Sequence, residues 1–322
     1  MKTKEAMELF TLEAMQKIIE QKKTIETPFL NKYFTTQIGH ISANVTIPIK
    51  HSENFILHAI SKTASAIISE DSEEILMKFE VPRFAQEGTI NAADLNELKS
   101  FENGGGNLPQ ALSQKISEII TTHKENYVLT QEFMAVGAVF GRVVDGKGNI
   151  LFEVEVKNKA GFNNAKTLHD SFAEIYDSFS KNLGYHPDFD LYVSRELYDE
   201  IHKKATAEEL FKVNQARLEK NTMQIYGINI IPYVASYKNK NSKKDTQFLS
   251  GKTGMAIPNT KGIFQLHYSR AHHTQALNLS AQKFFAAKPE ELAQGRGYCL
   301  HTESNVLPIC VRPDALVKLE WI

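Results

Sequence analysis

The chain has 322 residues, 42% hydrophobic and 23% charged, an ordinary globular balance with enough length for two structural units or one large domain with insertions. The 37 Lys plus Arg and 38 Asp plus Glu leave a formal net charge of -1, which argues against a dedicated nucleic-acid binder and leaves little charge repulsion to oppose self-association. Residues 1–25 mix Lys and Glu with no apolar stretch ahead of a cleavage site, and no run reaches the ~18 apolar residues of a membrane span. A soluble protein made in a cytosol is expected, with no membrane partner. Cys299 and Cys310 are too few for a disulfide framework. They read as free thiols, or as opposed residues if Ser304 and Asn305 were a hairpin tip.

In chain order, residues 11–23 carry Leu12, Met15, Ile18 and Ile19 on one helical face. Pro28 follows, then an aromatic patch of Phe29, Tyr33 and Phe34. Residues 38–82 are extended in character. Val45, Ile47 and Ile49 alternate with Thr46 and Pro48, and the proline points to an edge strand. Further extended pieces are predicted from Phe55 through Leu57 to Ile60 and from Ile75 to Val81. This stretch shows no clear core of its own. Isolated hairpins are marginal in water, so it needs a surface to lie on, another subunit being one candidate.

Three glycines within Asn103–Asn107 form a break. Leu112, Ile116, Ile119, Tyr127, Met134 and Ala138 then predict a helix from Pro109 to about residue 139. Arg142–Val144, the turn Asp145–Gly148 and alternation from Ile150 through Phe152 and Val154 to Val156 predict a hairpin. Leu168, Phe172, Ile175, Phe179 and Leu183 form a helical stripe closed by Gly184. A strand is predicted at Leu191–Ser194, helices at Arg195–Lys204 and Ala207–Leu218, and an extended segment at Met223–Val234. Lys238–Lys244 reads as an exposed loop. Strands are predicted at Gly254–Ile257, Ile263–Tyr268, Tyr298–Thr302, Val306–Val311 and Leu316–Trp321.

Chemistry is thinly marked. Gly251-Lys252-Thr253 ends like a phosphate-binding loop, but Thr246 stands where the leading glycine belongs and Pro258 follows at once. The triplet therefore reads as a turn beside a strand. His267, His272 and His273 lack the cysteine or carboxylate spacing of a zinc site and read as surface or interface residues. Glu153 with Glu155, and Asp188 with Asp190, read as solvated faces rather than acid–base pairs. No catalytic residue, metal or cofactor is assigned, and no enzymatic activity is expected.

Several segments, taken in order, resemble the phage major capsid protein E family, the lambda-type major head proteins. They are Phe10–Leu12 with Pro28–Leu30 and Tyr33-Phe34; Phe79–Pro82 with Asn91–Leu95; Glu132–Val139 with Gly141–Gly146; Pro258–Phe264; and Glu303–Val311 with Arg312–Val317. The polar insert Lys238–Lys244 and the stretch Ser100–Gly106 depart from that pattern. The resemblance implies an α+β Hong Kong 97-type shell fold. It implies an N-arm over 1–37, an extended loop over 38–82, a peripheral domain over 83–160 and 280–322, and an axial domain over 161–279. It implies self-assembly into hexamers and pentamers of an icosahedral shell around DNA. The subunit would be made in a bacterial host and end in the virion capsid of a tailed phage or a prophage-derived particle. Packaged DNA would be touched weakly and non-specifically, and scaffolding, portal and decoration proteins are the other candidate partners. Val45, Ile47, Ile49, Phe55, Leu57, Phe79, Pro258, Asn259, Gly262, Arg312 and Pro313 are the candidate assembly residues. The rival readings are an encapsulin-like compartment with the same fold and, from another class, a soluble nucleotide-binding enzyme or hydrolase.

Overall fold

A computed structural model describes residues 3–21, 25–50, 74–238 and 245–322. The chain starts with short helices α1 (Thr3–Glu8), α2 (Leu12–Gln21) and α3 (Pro28–Tyr33), then strands β1 (Thr36–His40), β2 (Asn44–Lys50), β3 (Glu74–Glu80) and β4 (Arg83–Asn91). Helices α4 (Ala92–Asn103) and α5 (Leu108–Val139) lead to β5 (Arg142–Val144), β6 (Ile150–Glu153) and β7 (Lys159–Phe162). Next come α6 (Leu168–Leu183), β8 (Phe189–Val193), α7 (Arg195–Ala207), β9 (Ala216–Glu219), β10 (Thr222–Ile225) and β11 (Ile228–Pro232). The remainder is β12 (Ser236–Lys238), β13 (Asp245–Gln247), β14 (Thr253–Pro258), β15 (Phe264–Ser269), β16 (Phe285–Ala286), β17 (Glu290–Glu291), β18 (Gly297–Cys310) and β19 (Val317–Trp321).

Among the described residues two sheets organise these elements. One runs β7-β19-β14-β8-β11-β10-β9. The other centres on β18, which pairs with β15 through Val306–Cys310 and with β4 through Gly297–Asn305. β1 closes that sheet as a parallel edge strand on β15. Strand pairing therefore cuts across the expected boundary at 279/280. β15 joins the sheet of the peripheral segments, and β19 joins the sheet of the axial segment.

Helix α5 is the long element the periodicity predicts. Its 32 residues span about 48 Å at ~1.5 Å per residue. Asn107 caps its start by accepting the Gln110 N–H, with Pro109 in the first turn where no N–H is needed. Its first half buries Leu112, Ile116 and Ile120 against α1, α2, β4 and β18. Its last turns, from Met134 to Val139, enter the main core beside the seven-stranded sheet. Between them a polar stripe faces β18. His123 Nδ1 lies 2.8 Å from Thr302 Oγ1, the Tyr127 hydroxyl donates to the Thr302 carbonyl at 2.7 Å, and Gln131 donates to Ser304 Oγ at 3.0 Å. Spacing of four residues puts all three on one helix face.

Helix α6 matches its sequence stripe, since Leu168, Phe172, Ile175, Phe179 and Leu183 are all buried. Gly184 ends it at φ 81°, a left-handed conformation that a side chain would oppose. Thr167 and Asp170 add a reciprocal capping box at its start. The aromatic patch Phe29, Tyr33 and Phe34 lies in the main core.

Two expectations change, and one helix is added. The helix predicted at Ala207–Leu218 is a turn followed by β9. Glu209 and Asn214 adopt φ of 58° and 57°, which no helix tolerates, and the Gln215 and Ala216 N–H groups both turn back to the Leu210 carbonyl. The strands predicted at 298–302 and 306–311 are one continuous β18, so Ser304-Asn305 is no hairpin tip and both cysteines are free. Helix α4, unsigned by any strong apolar stripe, is fixed by an Asn91–Asp94 capping box.

The helix–strand seam gives a direct test. Tyr127→Phe keeps the ring and removes the donor to the buried Thr302 carbonyl, so denaturant unfolding of the subunit is expected to show a loss of about 1–2 kcal/mol with an unchanged circular dichroism spectrum.

Candidate assembly surface

Strands β2 and β3 form their own antiparallel ribbon, from Asn44 opposite Glu80 to Lys50 opposite Glu74. Alternation on β2 turns Val45, Ile47 and Ile49 to one face, and all three are buried in the main core of their own chain. The part of 38–82 nearest the body therefore shares a core with it, which corrects the expectation of a coreless arm. Directly opposite, Phe79 packs edge-on to Phe152 with ring centroids 4.9 Å apart. Further along β3 that cover ends: Ile75, Leu76 and Met77 are 54%, 67% and 37% exposed. Phe55 and Leu57 lie outside the described residues.

The ribbon has two roots in the body. The front root runs through α3 and β1. Glu132, on α5, reaches across to the start of α3, and its carboxylate accepts the N–H groups of Phe29 at 2.8 Å and Leu30 at 3.0 Å. This satisfies two of the donors that every helix start leaves unpaired. Burial raises the Glu132 carboxyl above its ordinary range, against the opposing pull of those two bonds. Next along α3, Tyr33 donates to the buried Asp190 carboxylate at 2.9 Å, and Lys32 is bonded to the same oxygen. Asp190 is thus an internal anchor and not part of a solvated face, whereas Asp188 is exposed. Burial, then Tyr192 and Asp190, push the Tyr33 hydroxyl far upward, keeping it a neutral donor.

The rear root is the start of β4. The Val81 N–H donates to the Ala43 carbonyl at 2.8 Å. Arg83 grips Glu303 of β18, with Nε at 3.0 Å and Nη2 at 2.9 Å from Oε2. Glu303 is buried, and it also accepts the His272 N–H at 2.6 Å and the Asn305 amide at 2.7 Å. Burial alone would raise this carboxyl. Bonds from His301, Arg83, His272 and Asn305 instead hold it down at about 2.

The other candidate residues fall in two places. Pro258 is buried at the end of β14, Asn259 is exposed with its N–H on the Asp188 carbonyl at 2.7 Å, and Gly262 turns the chain toward β15 at φ 86°. Arg312 and Pro313 form a second group. The Arg312 guanidinium bridges Asp314 at 2.8 Å and the Asn182 carbonyl at 3.0 Å, and Pro313 is buried in a 3-10 turn. The two groups meet at the end of the β15–β18 ladder, where the Val311 N–H donates to the Ile263 carbonyl at 2.9 Å, one residue from Arg312 and from Gly262.

Of the chemical motifs, Gly251-Lys252-Thr253 is the expected turn into β14, with Lys252 3.2 Å from Glu200. His267 is buried against His40 instead of lying at the surface. His272 and His273 sit in the loop before a 3-10 turn. Glu132, Glu303 and the His40–His267 contact were unmarked in the sequence. Phe29 and Leu30 lie 103 and 102 residues from Glu132, Arg83 lies 220 from Glu303, and His40 lies 227 from His267, all beyond any local spacing rule.

A long spine helix laid along a sheet strand, a separate two-stranded ribbon rooted beside it, and a second sheet built on α6 and α7 define a shell-forming subunit of the Hong Kong 97 type. The family model for phage major capsid protein E matches residues 11–320, and the chain belongs to that family. It is a major capsid protein, whose role is structural. No curated protein matches it. Among solved structures it is similar to a capsid protein of a prophage in Escherichia coli CFT073, at 12% identity and TM-score 0.57, over 97% of this chain and 99% of that one. It is also similar to a phage-related protein of Bordetella bronchiseptica RB50, at 8% identity and TM-score 0.50, over 96% of each chain.

The depressed Glu303 carboxyl ties the rear root to acid stability. Its folded value near 2 lies below the ~4.3 of an unfolded glutamate, so its contribution is full above pH ~4.3 and is lost as pH falls toward 2. Glu303→Gln is therefore expected to flatten the stability profile by roughly 2 kcal/mol between pH 5 and pH 2.5, read by denaturant titrations at those two values.

Proposed function

We propose that the chain forms hexamers and pentamers by cyclic contacts and closes an icosahedral shell around DNA, in a tailed phage or a phage-derived particle assembled in the bacterial host cytoplasm. The observation that carries this reading is the uncovered stretch of β3. An edge strand with three consecutive exposed apolar residues is a template for association unless another surface covers it. Its root is fixed by the body, so its direction is set before any neighbour arrives.

In this reading residues 1–37 are the N-arm, 38–82 the extended loop, 83–160 and 280–322 the peripheral domain, and 161–279 the axial domain. The loop of one subunit, with Phe55 and Leu57, lies over the spine helix of the next, where Leu129 of α5 is 58% exposed. Val45, Ile47, Ile49 and Phe79 act in assembly by holding the loop at its working angle. The turn at Pro258, Asn259 and Gly262 contacts neighbours near the capsomer centre, and Arg312 with Pro313 steadies the junction between the sheets. Obligate contacts of this kind bury on the order of 2,000 Å² or more. Scaffolding, portal and decoration proteins are further partners, and packaged DNA is touched weakly.

Leu76→Lys combined with Met77→Lys places two charges where the neighbour must cover β3. Negative-stain microscopy of the wild-type chain, produced together with its head-assembly partners, is expected to show uniform polyhedral particles. The double variant should keep its fold by circular dichroism and give none. Closed particles from the variant at wild-type yield would refute the contact.

A further inference from the structure

The protein holds two stacked histidine pairs in opposite electrostatic surroundings. His273 and His301 stack with ring centroids 5.1 Å apart and planes 23° from parallel. The His301 ring nitrogens lie 3.6 Å from Glu87 and 3.4 Å from Glu303, and His273 Nε2 lies 4.0 Å from Glu290. A proton arriving there meets carboxylates.

His40 and His267 stack at 5.2 Å and 18°, with His40 Nε2 2.9 Å from His267 Nδ1. His267 is only 3% exposed, and its Nε2 faces Gln265 Oε1 at 3.0 Å. With the Gln265 oxygen as acceptor, His267 carries its hydrogen on Nε2 and its Nδ1 accepts from His40. A further proton on His267 must take the Nδ1 lone pair and break the bond between the rings. A proton on His40 Nδ1 sets a cation against a buried neutral ring.

Among the described residues, the elements packed on the pair bring no carboxylate to it. On β1, Gln37 accepts from Lys283 at 3.0 Å. At the end of β15, the Arg270 N–H donates to the His40 carbonyl at 3.0 Å, and its guanidinium turns to the Leu277 carbonyl at 2.5 Å. On β18 the register partner of His267 is Leu307. Tyr268 lies so close over Gly39 that a Cβ there would sit 2.9 Å from its ring. Neutral and cationic groups thus face the pair from each of these elements. Burial, and then His40, lower His267 to about 4, and burial lowers His40 as well.

The pair sits where it has leverage. Among the described residues β1 pairs only with β15, over five residues, and it carries the chain from the anchored helix α3 into β2. We propose that His40 and His267 form an acid-released latch: below about pH 5 the protonated pair undocks β1 from β15 and frees the front root of the ribbon, while the Arg83–Glu303 root holds. The sign follows from proton counts. An undocked histidine titrates near ~6.5, so between pH ~6.5 and ~4 the undocked state binds more protons and docking weakens as pH falls.

Hydrogen exchange of the full chain at pH 7 and pH 4.5, corrected for intrinsic rates, tests this. Peptides covering 36–40 are expected to lose at least about tenfold in protection relative to those covering β4 and β18. The double variant His40→Gln with His267→Gln should keep β1 protection at pH 4.5 within about twofold of its pH 7 value, and His273→Gln should behave as wild type. Unchanged β1 protection in the wild type at pH 4.5 overturns the latch, as does equal loss in the double variant. Should that variant dock poorly at pH 7, imidazole nitrogen shifts of the wild type decide. Rings that titrate together with the loss of the β1 amides support the latch, and rings still neutral when β1 is released overturn it.

Discussion

The fold depends on a buried polar seam between one helix and one strand. Thr302, Glu303, Ser304 and Asn305 are four successive polar residues in β18, and all are buried. A strand alternates its faces, so such a run needs partners on both sides at once. Helix α5 supplies one side through His123, Tyr127 and Gln131. Arg83, His301 and the His272 N–H supply the other through Glu303. Each bond adds only about 1 kcal/mol net, but each unmade one costs about 1–3. That asymmetry fixes the register of the spine helix against the sheet more sharply than apolar packing does, because apolar contacts tolerate sliding and a polar ladder does not.

From that seam the remaining geometry follows. β18 pairs with β15, β15 holds β1, and β4 leaves the same strand toward the ribbon. The ribbon is thereby hung from two points on a rigid frame. Its near half is sealed by Val45, Ile47, Ile49 and Phe79, and its far half is left apolar and exposed at Ile75–Met77. A near-neutral chain with such a strand has little charge repulsion to keep copies apart. This combination suits a subunit whose stable state is an assembly.

The sequence made the long elements legible. Helices α5 and α6 keep their apolar spacing over many turns, so the pattern survives local exceptions, and Gly184 marks its cap by chemistry alone. The family likeness was legible from ordered short motifs, from Phe10 to Val317. Short elements were not. The segment after α7 has helix-like composition, but two left-handed residues break it; Asn214 is a residue type that tolerates that conformation, whereas nothing in Glu209 announces it. The seam was hidden because polar residues inside a strand look like a turn, which is how Ser304-Asn305 split β18 into two predicted pieces. Asp190 was misjudged for a related reason: the partners that bury it, Lys32 and Tyr33, come from a segment about 157 residues earlier.

Three inward-turned carboxylates tie the ribbon to the body. Glu132 and Asp190 hold the front root of the ribbon, and Glu303 holds the rear one. Buried ionic groups add little stability compared with apolar residues of the same shape, but they demand a particular geometry. Their concentration at the two roots means that the body specifies the angle of the ribbon, while the apolar core specifies that the body folds at all. Shell closure requires that angle to be the same in every copy, because a heterologous contact repeated with a variable rotation builds open chains instead of rings. A subunit held by apolar packing alone would fold as well and close less reliably.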